Sequence, residues 1–316
     1  FTAGQVACAL APGFASMLLV RVAVAVAHGV FFGVAMVVAV GLVREEKRGM
    51  AVAFVLAGLT VSNIVGVPAG AAIGNLFGWR ATFWAMFALG IVATAAMIAL
   101  LPRGGESRAA APAGLAGEVR VLGRQQVWSS LMLMLLLMIG QFVPYTYIAP
   151  LLQEVTGLSA ATVPWVLLLN GIGATAGVFV GGRLAGWKPM QSLIALLVVQ
   201  SAVLATMYAA AENALPMIAV IVLWGTINFS IGTPIQTRIL TWTADAPNLA
   251  SSLIPSGFNV GIAAASSIGA LLLEAGFGYR SLPVLGIFAM LVAAGVAALS
   301  HAAEKRSGAR PPLPRG

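Results

Sequence analysis

Long apolar runs alternate with short gaps along this chain, and the basic residues are concentrated in every second gap. Nine of the runs are close to or above the roughly 20 residues that a helix needs to cross a bilayer. All but three of the 17 lysines and arginines lie in alternate gaps or in the C-terminal tail. Because cytoplasmic loops carry an excess of Lys and Arg, this pattern predicts a multi-pass protein of the cell inner (plasma) membrane with a cytoplasmic C-terminus.

The composition favours a protein that faces lipid. Hydrophobic residues make up 60% of the chain and charged residues 8%, whereas an ordinary soluble domain has about 25% charged residues. The net charge of +8 follows from the basic loops. There is no basic stripe interleaved with stacking aromatics, the pattern that binds nucleic acid. We therefore expect the lipid bilayer, and no nucleic acid, as a partner.

The sequence lacks the motifs of enzymatic and metal chemistry. Cys8 is the single cysteine, and His28 and His301 are far apart, so no Cys/His cluster has metal-ligand spacing. No Gly-rich phosphate loop and no Gly-x-Ser-x-Gly nucleophile motif occurs. We predict that the protein is not an enzyme and that it holds no metal and no organic cofactor.

The apolar runs predict an all-α membrane protein with about nine complete transmembrane helices and part of a tenth. The runs are apolar on all sides, as expected for bundled helices in lipid, and do not alternate like barrel strands. The opening run, residues 1–12, is too short to span, so we expect the chain to begin within a helix and to lack residues before it. The predicted helices are 14–43, 49–76, 81–101, 126–152, 160–184, 189–210, 215–240, 249–273 and 282–301.

An internal repeat divides the sequence into two pseudo-repeated helical halves. Residues 77–80 read Phe-Gly-Trp-Arg and open one helix, and residues 277–280 read Phe-Gly-Tyr-Arg and open another. The helix before each tetrapeptide carries small residues at four-residue spacing. Such a repeat is typical of transporters, whose site lies between the halves near the bilayer midplane. The predicted domains are a partial N-terminal half at 1–101, a cytoplasmic linker at 102–124, a six-helix C-terminal half at 125–302 and a cytoplasmic tail at 303–316.

Several short runs form a recognisable set. They include Arg21, Ala27-His28-Gly29-Val30-Phe31-Phe32-Gly33, Lys47-Arg48-Gly49, Gly66-Val67-Pro68-Ala69-Gly70, Gly78-Trp79-Arg80, Ile235-Gln236-Thr237-Arg238 and Phe258-Asn259-Val260-Gly261. Together these runs resemble the major facilitator superfamily, in particular its twelve-helix drug:proton antiporter branch with the arabinose/sugar-efflux and chloramphenicol-resistance type permeases. The resemblance covers residues 1 to about 301. It implies that the chain starts in the family's third helix, acts as a monomer and uses a proton gradient.

A stripe of small residues with one proline matches the antiporter motif of the family's fifth helix, which is associated with export. Small residues four apart let helix backbones approach closely in lipid. Val67 and Ala71 stand where the motif prefers glycine. The resemblance implies that the fifth and eighth helices pack across the interface between the halves. The residues predicted for this interface are Gly66, Pro68, Gly70 and Gly74 on the fifth helix, and Gly173 and Gly177 on the eighth.

Two titratable side chains lie inside the predicted helix 14–43. Arg21 is about seven residues into its helix, roughly 10 Å along the axis. An intramembrane cation must pair, face a cavity or snorkel, and Arg21 matches the family's fourth-helix arginine, which is linked to proton coupling. His28 can relay a proton at physiological pH or remain neutral and hydrogen-bonded to a neighbouring helix. Arg21 and His28 are therefore the proton-coupling candidates, and an interfacial anchor is the alternative for Arg21.

Polar and aromatic side chains within the apolar runs are the candidates for substrate contact. Amides and phenols at this depth can hydrogen-bond a sugar or a drug. They can equally bond one helix to another, which contributes about 0.6 kcal/mol on average. The predicted cavity residues are Gln141, Tyr145, Tyr147, Asn170, Asn228 and Asn259.

Arg183 belongs to a run, Gly181-Gly182-Arg183-Leu184-Ala185, that resembles the second-half copy of the family's basic cytoplasmic loop. The family places Asp next, and this chain has Gly186. Arg183 either takes part in that loop or enforces topology through its charge alone.

Three functions are compatible with the sequence. The first is a secondary active transporter that exports a small molecule, a sugar or a hydrophobic drug, in exchange for protons by alternating access. The second is a truncated or degenerate permease without transport activity. The third is an importer of the same fold.

Overall fold

The regular structure is helical throughout the part of the chain that the computed structural model describes. These residues are 1–44, 51, 55, 58, 61–101 and 120–308. The chain divides into two compact units, Phe1–Pro112 and Ala113–Gly316. Most of the predicted linker and the last eight residues of the predicted tail lie outside the described residues. The proposed boundaries of both segments therefore stay predictions.

The first unit contains four described helices. They are α1 (Thr2–Ala9), α2 (Phe14–Gly41), α3 (Val67–Phe77) and α4 (Trp79–Leu100). The predicted helices 14–43 and 81–101 agree with α2 and α4 to within two residues. Nine of the 28 residues of predicted helix 49–76 lie outside the described residues, and so does the run Lys47-Arg48-Gly49.

A π-helical turn, Ser62–Gly66, leads directly into α3. Pro68 stands at the start of α3 and is buried. Because proline has no backbone N–H, it cannot donate to the carbonyl four residues earlier. The wider π turn lies next to this missing bond and accommodates it.

The second unit is a bundle of six long helices. They are α5 (Gln125–Thr146), α6 (Val163–Trp187), α7 (Pro189–Ala210), α8 (Ala214–Trp242), α9 (Pro247–Glu274) and α10 (Leu282–Ser307). The predicted helix at 126–152 is interrupted at Tyr147, after which a π turn covers Leu151–Val155. Pro150 has no N–H for the carbonyl of Thr146, so the helix loses a hydrogen bond at this point. Pro144 lies inside α5 without ending it.

Seven helices among the described residues are long and apolar enough to cross a membrane: α4 to α8, the part of α9 from Leu253 to Glu274, and Tyr279–Ser307. Shorter apolar helices occur at Phe14–His28 and Ile64–Phe77. These are the regions in which the sequence predicts its first two spans. The prediction of an all-α, multi-pass architecture is confirmed.

The last helix continues well past the predicted end at residue 301. The residues from Ala302 to Arg306 are mostly strong helix formers, and α10 stops where Gly308 adopts a left-handed conformation, with φ of +61°. The extra turns bring Glu304 into the helix, a residue that the sequence prediction assigned to the tail.

Helices α6 and α8 pack backbone to backbone through glycine. A Cβ atom on Gly173, Gly177 or Gly181 would lie 2.5, 2.1 or 2.4 Å from a carbonyl oxygen of α8. The hydroxyl of Ser230 donates to the carbonyl of Gly177 at 3.0 Å. This stripe therefore lies against a helix of its own unit, and its packing across the interface between the halves stays a prediction. The small side chains serve close packing inside the second unit.

The arginines of the two repeated tetrapeptides make corresponding hydrogen bonds in the two units. Arg80 at the start of α4 donates to the carbonyl of Ala11, just after α1, at 3.1 Å. Arg280 at the start of α10 donates to the carbonyl of Tyr208 near the end of α7 at 3.4 Å and forms an ion pair with Glu212. In each unit an arginine thus holds the negative end of an earlier helix. This correspondence supports a genuine structural repeat.

Candidate functional site

The two predicted proton-coupling residues lie on α2. Arg21 and His28 are both exposed on the first unit. They are seven residues, about two turns, apart and therefore share one face of the helix. The ring of His28 faces the ring of Phe1, with centroids 6.2 Å apart.

The glycine motif of α3 packs partly on α4 of the same unit. The hydroxyl of Thr82 donates to the carbonyl of Gly70 at 3.3 Å. A Cβ atom on Gly74 would lie 3.4 Å from the same hydroxyl. Gly66 is exposed, and among the described residues a Cβ atom added to it would meet only Ser62 of its own turn. These contacts describe helix packing, and the association of the motif with export stays a prediction.

A buried polar cluster joins three helices in the core of the second unit. The Oε1 atom of Gln141 on α5 accepts hydrogen bonds from Trp224 Nε1 of α8 at 2.6 Å and from Gln200 Nε2 of α7 at 3.1 Å. Both glutamines are fully buried and Trp224 is 2% exposed. The sequence predicts Gln141 as a substrate-cavity residue. In the structure its side-chain oxygen accepts hydrogen bonds from α7 and α8 and so links both helices to α5.

The chemistry of this cluster fixes the orientation of both amides. An indole N–H can only donate, so the Gln141 atom that faces Trp224 must be oxygen. The Gln200 atom that shares this oxygen must then be its NH₂ group. Two buried atoms, Nε2 of Gln141 and Oε1 of Gln200, consequently have no protein partner among the described residues.

Two further predicted cavity residues also serve packing. The side chain of Asn170 on α6 donates to the carbonyl of Ile221 on α8 at 2.8 Å and lies against Gly225. The hydroxyl of Tyr147 donates to the carbonyl of Ser266 on α9 at 3.0 Å. Both groups hold neighbouring helices of the second unit together, so their polar atoms are engaged within it.

The remaining three candidates are half-buried or exposed. Tyr145 is half-buried, and its ring packs against Trp224 with a centroid distance of 5.6 Å. Asn228 is half-buried one turn after Trp224 on α8, which places it on the same face. Asn259 on α9 is exposed, and its side-chain nitrogen donates to the carbonyl of Pro255 at 2.8 Å. Tyr145 therefore packs on Trp224, which the glutamine cluster holds in place, and Asn228 lies on the same face of α8 as Trp224.

A polar cluster centred on Arg238 lies at the other end of the bundle. The sequence does not predict it as a site. Arg238 on α8 is 8% exposed. It pairs with Glu304 of α10 and donates to Ser130 of α5 at 3.0 Å and to Ser300 of α10 at 2.7 Å. A cavity of about 380 Å³ beside the pair is lined by Ser129, Ser300 and Glu304, among other residues. No sequence signal linked these residues, because the predicted helix ended at residue 301 and left Glu304 in the tail, whereas α10 continues to Ser307.

A second ion pair fastens the start of α5 to the end of α8. Arg124 makes two hydrogen bonds of 2.7 Å to the carboxylate of Asp245 and one of 2.8 Å to the carbonyl of Trp242. The hydrogen bond to Asp245 raises the pKa of the Arg124 guanidinium above its ordinary value. Arg183, the predicted loop residue, is exposed near the end of α6. It lies outside both ion pairs.

Replacing Gln141 by leucine is expected to lower the free energy of unfolding of the second unit by about 2 kcal/mol or more. The change leaves two buried donors, Trp224 Nε1 and Gln200 Nε2, without their acceptor, and an unsatisfied buried group costs about 1–3 kcal/mol. Thermal unfolding in detergent measures the effect. Gln125→Leu, at an exposed position of the same helix, is the control and should change stability by less than about 0.5 kcal/mol. Equal effects of the two variants would contradict a role for the cluster.

Comparison with known proteins agrees with this architecture. Residues 1–246 match the family model described as Major Facilitator Superfamily. The chain is 35% identical over 299 residues to the inner membrane transport protein YdhP of Escherichia coli K12, a match that covers 95% of this chain and 75% of that protein. It is 33% identical over 275 residues to a chloramphenicol resistance protein of Streptomyces lividans, covering 85% of this chain and 69% of the relative.

Solved structures show the same fold at low sequence identity. A bacterial homolog of the human lysosomal transporter Spinster, in an inward-facing and unoccupied conformation, matches with a TM-score of 0.66 and 18% identity, covering 95% of this chain and 80% of that one. The fucose:proton symporter FucP of E. coli matches with a TM-score of 0.58 and 12% identity, covering 94% and 80%. The helical bundle, its internal repeat and these relatives agree, and the chain belongs to the Major Facilitator Superfamily.

Proposed function

We propose that the protein exports a small uncharged molecule, a sugar or a hydrophobic drug, across the inner membrane in exchange for protons. The observation that carries this proposal is the 33% identity to a chloramphenicol resistance protein over 85% of the chain. A resistance protein of a transporter family protects its cell by removing the drug, so export is the direction that this likeness supports. Alternating access between two helical units is the corresponding mechanism.

The half-buried and exposed polar side chains of the second unit support an uncharged substrate. Tyr145, Asn228 and Asn259 offer a phenol and two amides, which hydrogen-bond neutral oxygen and nitrogen atoms. Trp224 adds an aromatic surface beside Tyr145. The described carboxylates of this unit lie at or beyond the ends of the long helices: Glu154, Glu212, Asp245, Glu274 and Glu304. A cationic substrate would therefore find no described counter-charge at mid-depth in this unit.

The exposed position of Arg21 supports coupling to protons. Arg21 lies two turns inside an apolar helix, and its side chain is on the surface of the first unit. A guanidinium at that depth is costly in lipid and is retained where it meets water, an acid or a substrate. His28, on the same face, carries an imidazole ring whose two nitrogens can accept and donate a proton. We propose that this face of α2 lines the proton path.

The test is export of chloramphenicol and of arabinose from cells, and proton exchange in proteoliposomes with an imposed pH gradient. Arg21→Ala should reduce export at least tenfold while the amount of protein in the membrane stays unchanged. Arg306→Ala, at an exposed site of α10, is the control and should transport normally. Uptake of the probe together with protons would establish an importer instead. Absence of any probe movement, with correctly folded protein, would favour a permease without transport activity.

A further inference from the structure

A groove of about 320 Å³ lies where α6 ends and α7 begins. One end of the groove is polar and includes Lys188, Gln191 and Ser192, with the ring of Trp187 beside them. The other end is apolar and runs along α7 past Ala195 and Val199. The groove is therefore amphiphilic along its length, with the polar end at the turn between the helices.

The polar end carries positive charge that no described carboxylate neutralises. The ammonium of Lys188 lies over the ring of Trp187, 4.9 Å from its centroid. Arg183 does not line the groove itself, but it lies one turn before Trp187 on the same face of α6. The sequence has no Asp or Glu between Glu154 and Glu212. Among the described residues, neither cation forms an ion pair.

The start of α7 lies at the polar end of the groove, next to the end of α6, whose macrodipole has the opposite sign. Lys188 precedes the first residue of the helix, Pro189, and the early N–H groups of a helix have no acceptor within it. The macrodipole makes that end of the helix attractive to anions. The hydroxyl of Ser192 donates to the carbonyl of Leu184 at 3.3 Å and so joins the two helices under the groove.

The apolar end of the groove belongs to the surface that lipid covers. Ala195 and Val199 are exposed on α7, a helix whose mean hydropathy is 2.0. Trp187 is 71% exposed, as expected for an aromatic residue at a membrane interface. An occupant must therefore combine a negative head with an apolar chain.

We propose that this groove binds an anionic phospholipid. Its phosphate lies beside Lys188 and Arg183 at the start of α7, and one acyl chain follows Ala195 and Val199. The assignment follows from the charge and from the membrane position of the groove, and it is independent of the transported substrate.

The test is retention of lipid by the purified full chain in native mass spectrometry. The probes are phosphatidylglycerol and phosphatidylcholine with identical acyl chains. Each basic side chain near an anionic headgroup contributes about fivefold in affinity, so Arg183→Gln/Lys188→Gln should bind phosphatidylglycerol about 30-fold more weakly. Lys305→Gln/Arg306→Gln removes the same charge from the exposed end of α10 and should leave the affinity unchanged.

A third variant separates the groove from a general charge effect. Ala195→Trp fills the apolar end and should reduce retention of both lipids without altering the charge. Equal losses in the two double variants would overturn the proposal, because they would show diffuse electrostatic binding. Unchanged phosphatidylglycerol binding in Arg183→Gln/Lys188→Gln or in Ala195→Trp would overturn it as well.

Discussion

Glu304→Ala should lower the free energy of unfolding of the second unit by about 3–5 kcal/mol. The change leaves the guanidinium of Arg238 buried without its counter-charge, and breaking one side of a buried ion pair has this cost. The side chains of Arg238 and Glu304 are 7% and 16% exposed, so water cannot replace the lost carboxylate easily. Serine hydroxyls of α5 and α10 and the sulfur of Met190 remain, but none carries a negative charge. Thermal unfolding in detergent measures the loss.

Two further variants test whether the loss of stability comes from the buried ion pair. Glu212→Ala breaks the ion pair with Arg280, whose side chains are 61% and 39% exposed, and should cost less than about 1 kcal/mol. Arg238→Met/Glu304→Ala removes both charges and should recover part of the loss, since an apolar replacement of a buried pair is often neutral. If Glu304→Ala and Glu212→Ala were equally mild, the buried pair would not hold the bundle together.

The positions of the helices could be predicted from the sequence because the bilayer sets their length. Predicted helix 189–210 coincides with α7, and 282–301 begins where α10 does. The predicted helix ends are wrong where the helix does not end at the boundary of the apolar run. Pro150 interrupts the helix after α5, and strong helix formers carry α10 past the apolar run to Ser307. Apolar length alone contains no information on either event.

The partners of polar residues could not be predicted in the same way. A helix that is apolar on all sides has little periodicity, so the sequence does not reveal which face turns toward which neighbour. Gln141 and Asn259 are alike in sequence as amides within apolar runs, yet Gln141 is fully buried in a three-helix cluster and Asn259 is exposed. Glu304 became visible as a partner of Arg238 only when the extended α10 placed it near the end of α8.

The glycine stripe of α6 is another case in which the sequence predicts close packing but not the neighbouring helix. Four-residue spacing correctly indicates close helix packing, and the resemblance to the family directs attention to the interface between the halves. In the structure Gly173, Gly177 and Gly181 contact the backbone of α8 within one unit, and packing across the interface between the halves stays a prediction. Spacing predicts that a helix packs tightly, but the identity of the neighbour depends on the whole bundle.

Gly177→Ala should lower the free energy of unfolding of the second unit by about 3 kcal/mol. A single added Cβ atom would lie 2.1 Å from the carbonyl oxygen of Thr226 and 2.9 Å from its carbon. The obstacle is the backbone of α8, which cannot rotate away as a side chain can, so the two helices must separate. Overpacking of this kind costs about 1–3 kcal/mol, occasionally more. Separation would also lengthen the bonds from Ser230 to Gly177 and from Asn170 to Ile221.

Gly182→Ala is the matched control, because it makes the same chemical change five residues further along the same helix. A Cβ atom on Gly182 would have no neighbour within 4 Å. Replacing a helical glycine by alanine reduces backbone entropy in the unfolded chain and can stabilise by up to about 1 kcal/mol. The two variants should therefore move the unfolding temperature in opposite directions, read by circular dichroism in detergent. A loss of stability in both variants, or in neither, would show that the α6–α8 contact is not limited by backbone approach at Gly177.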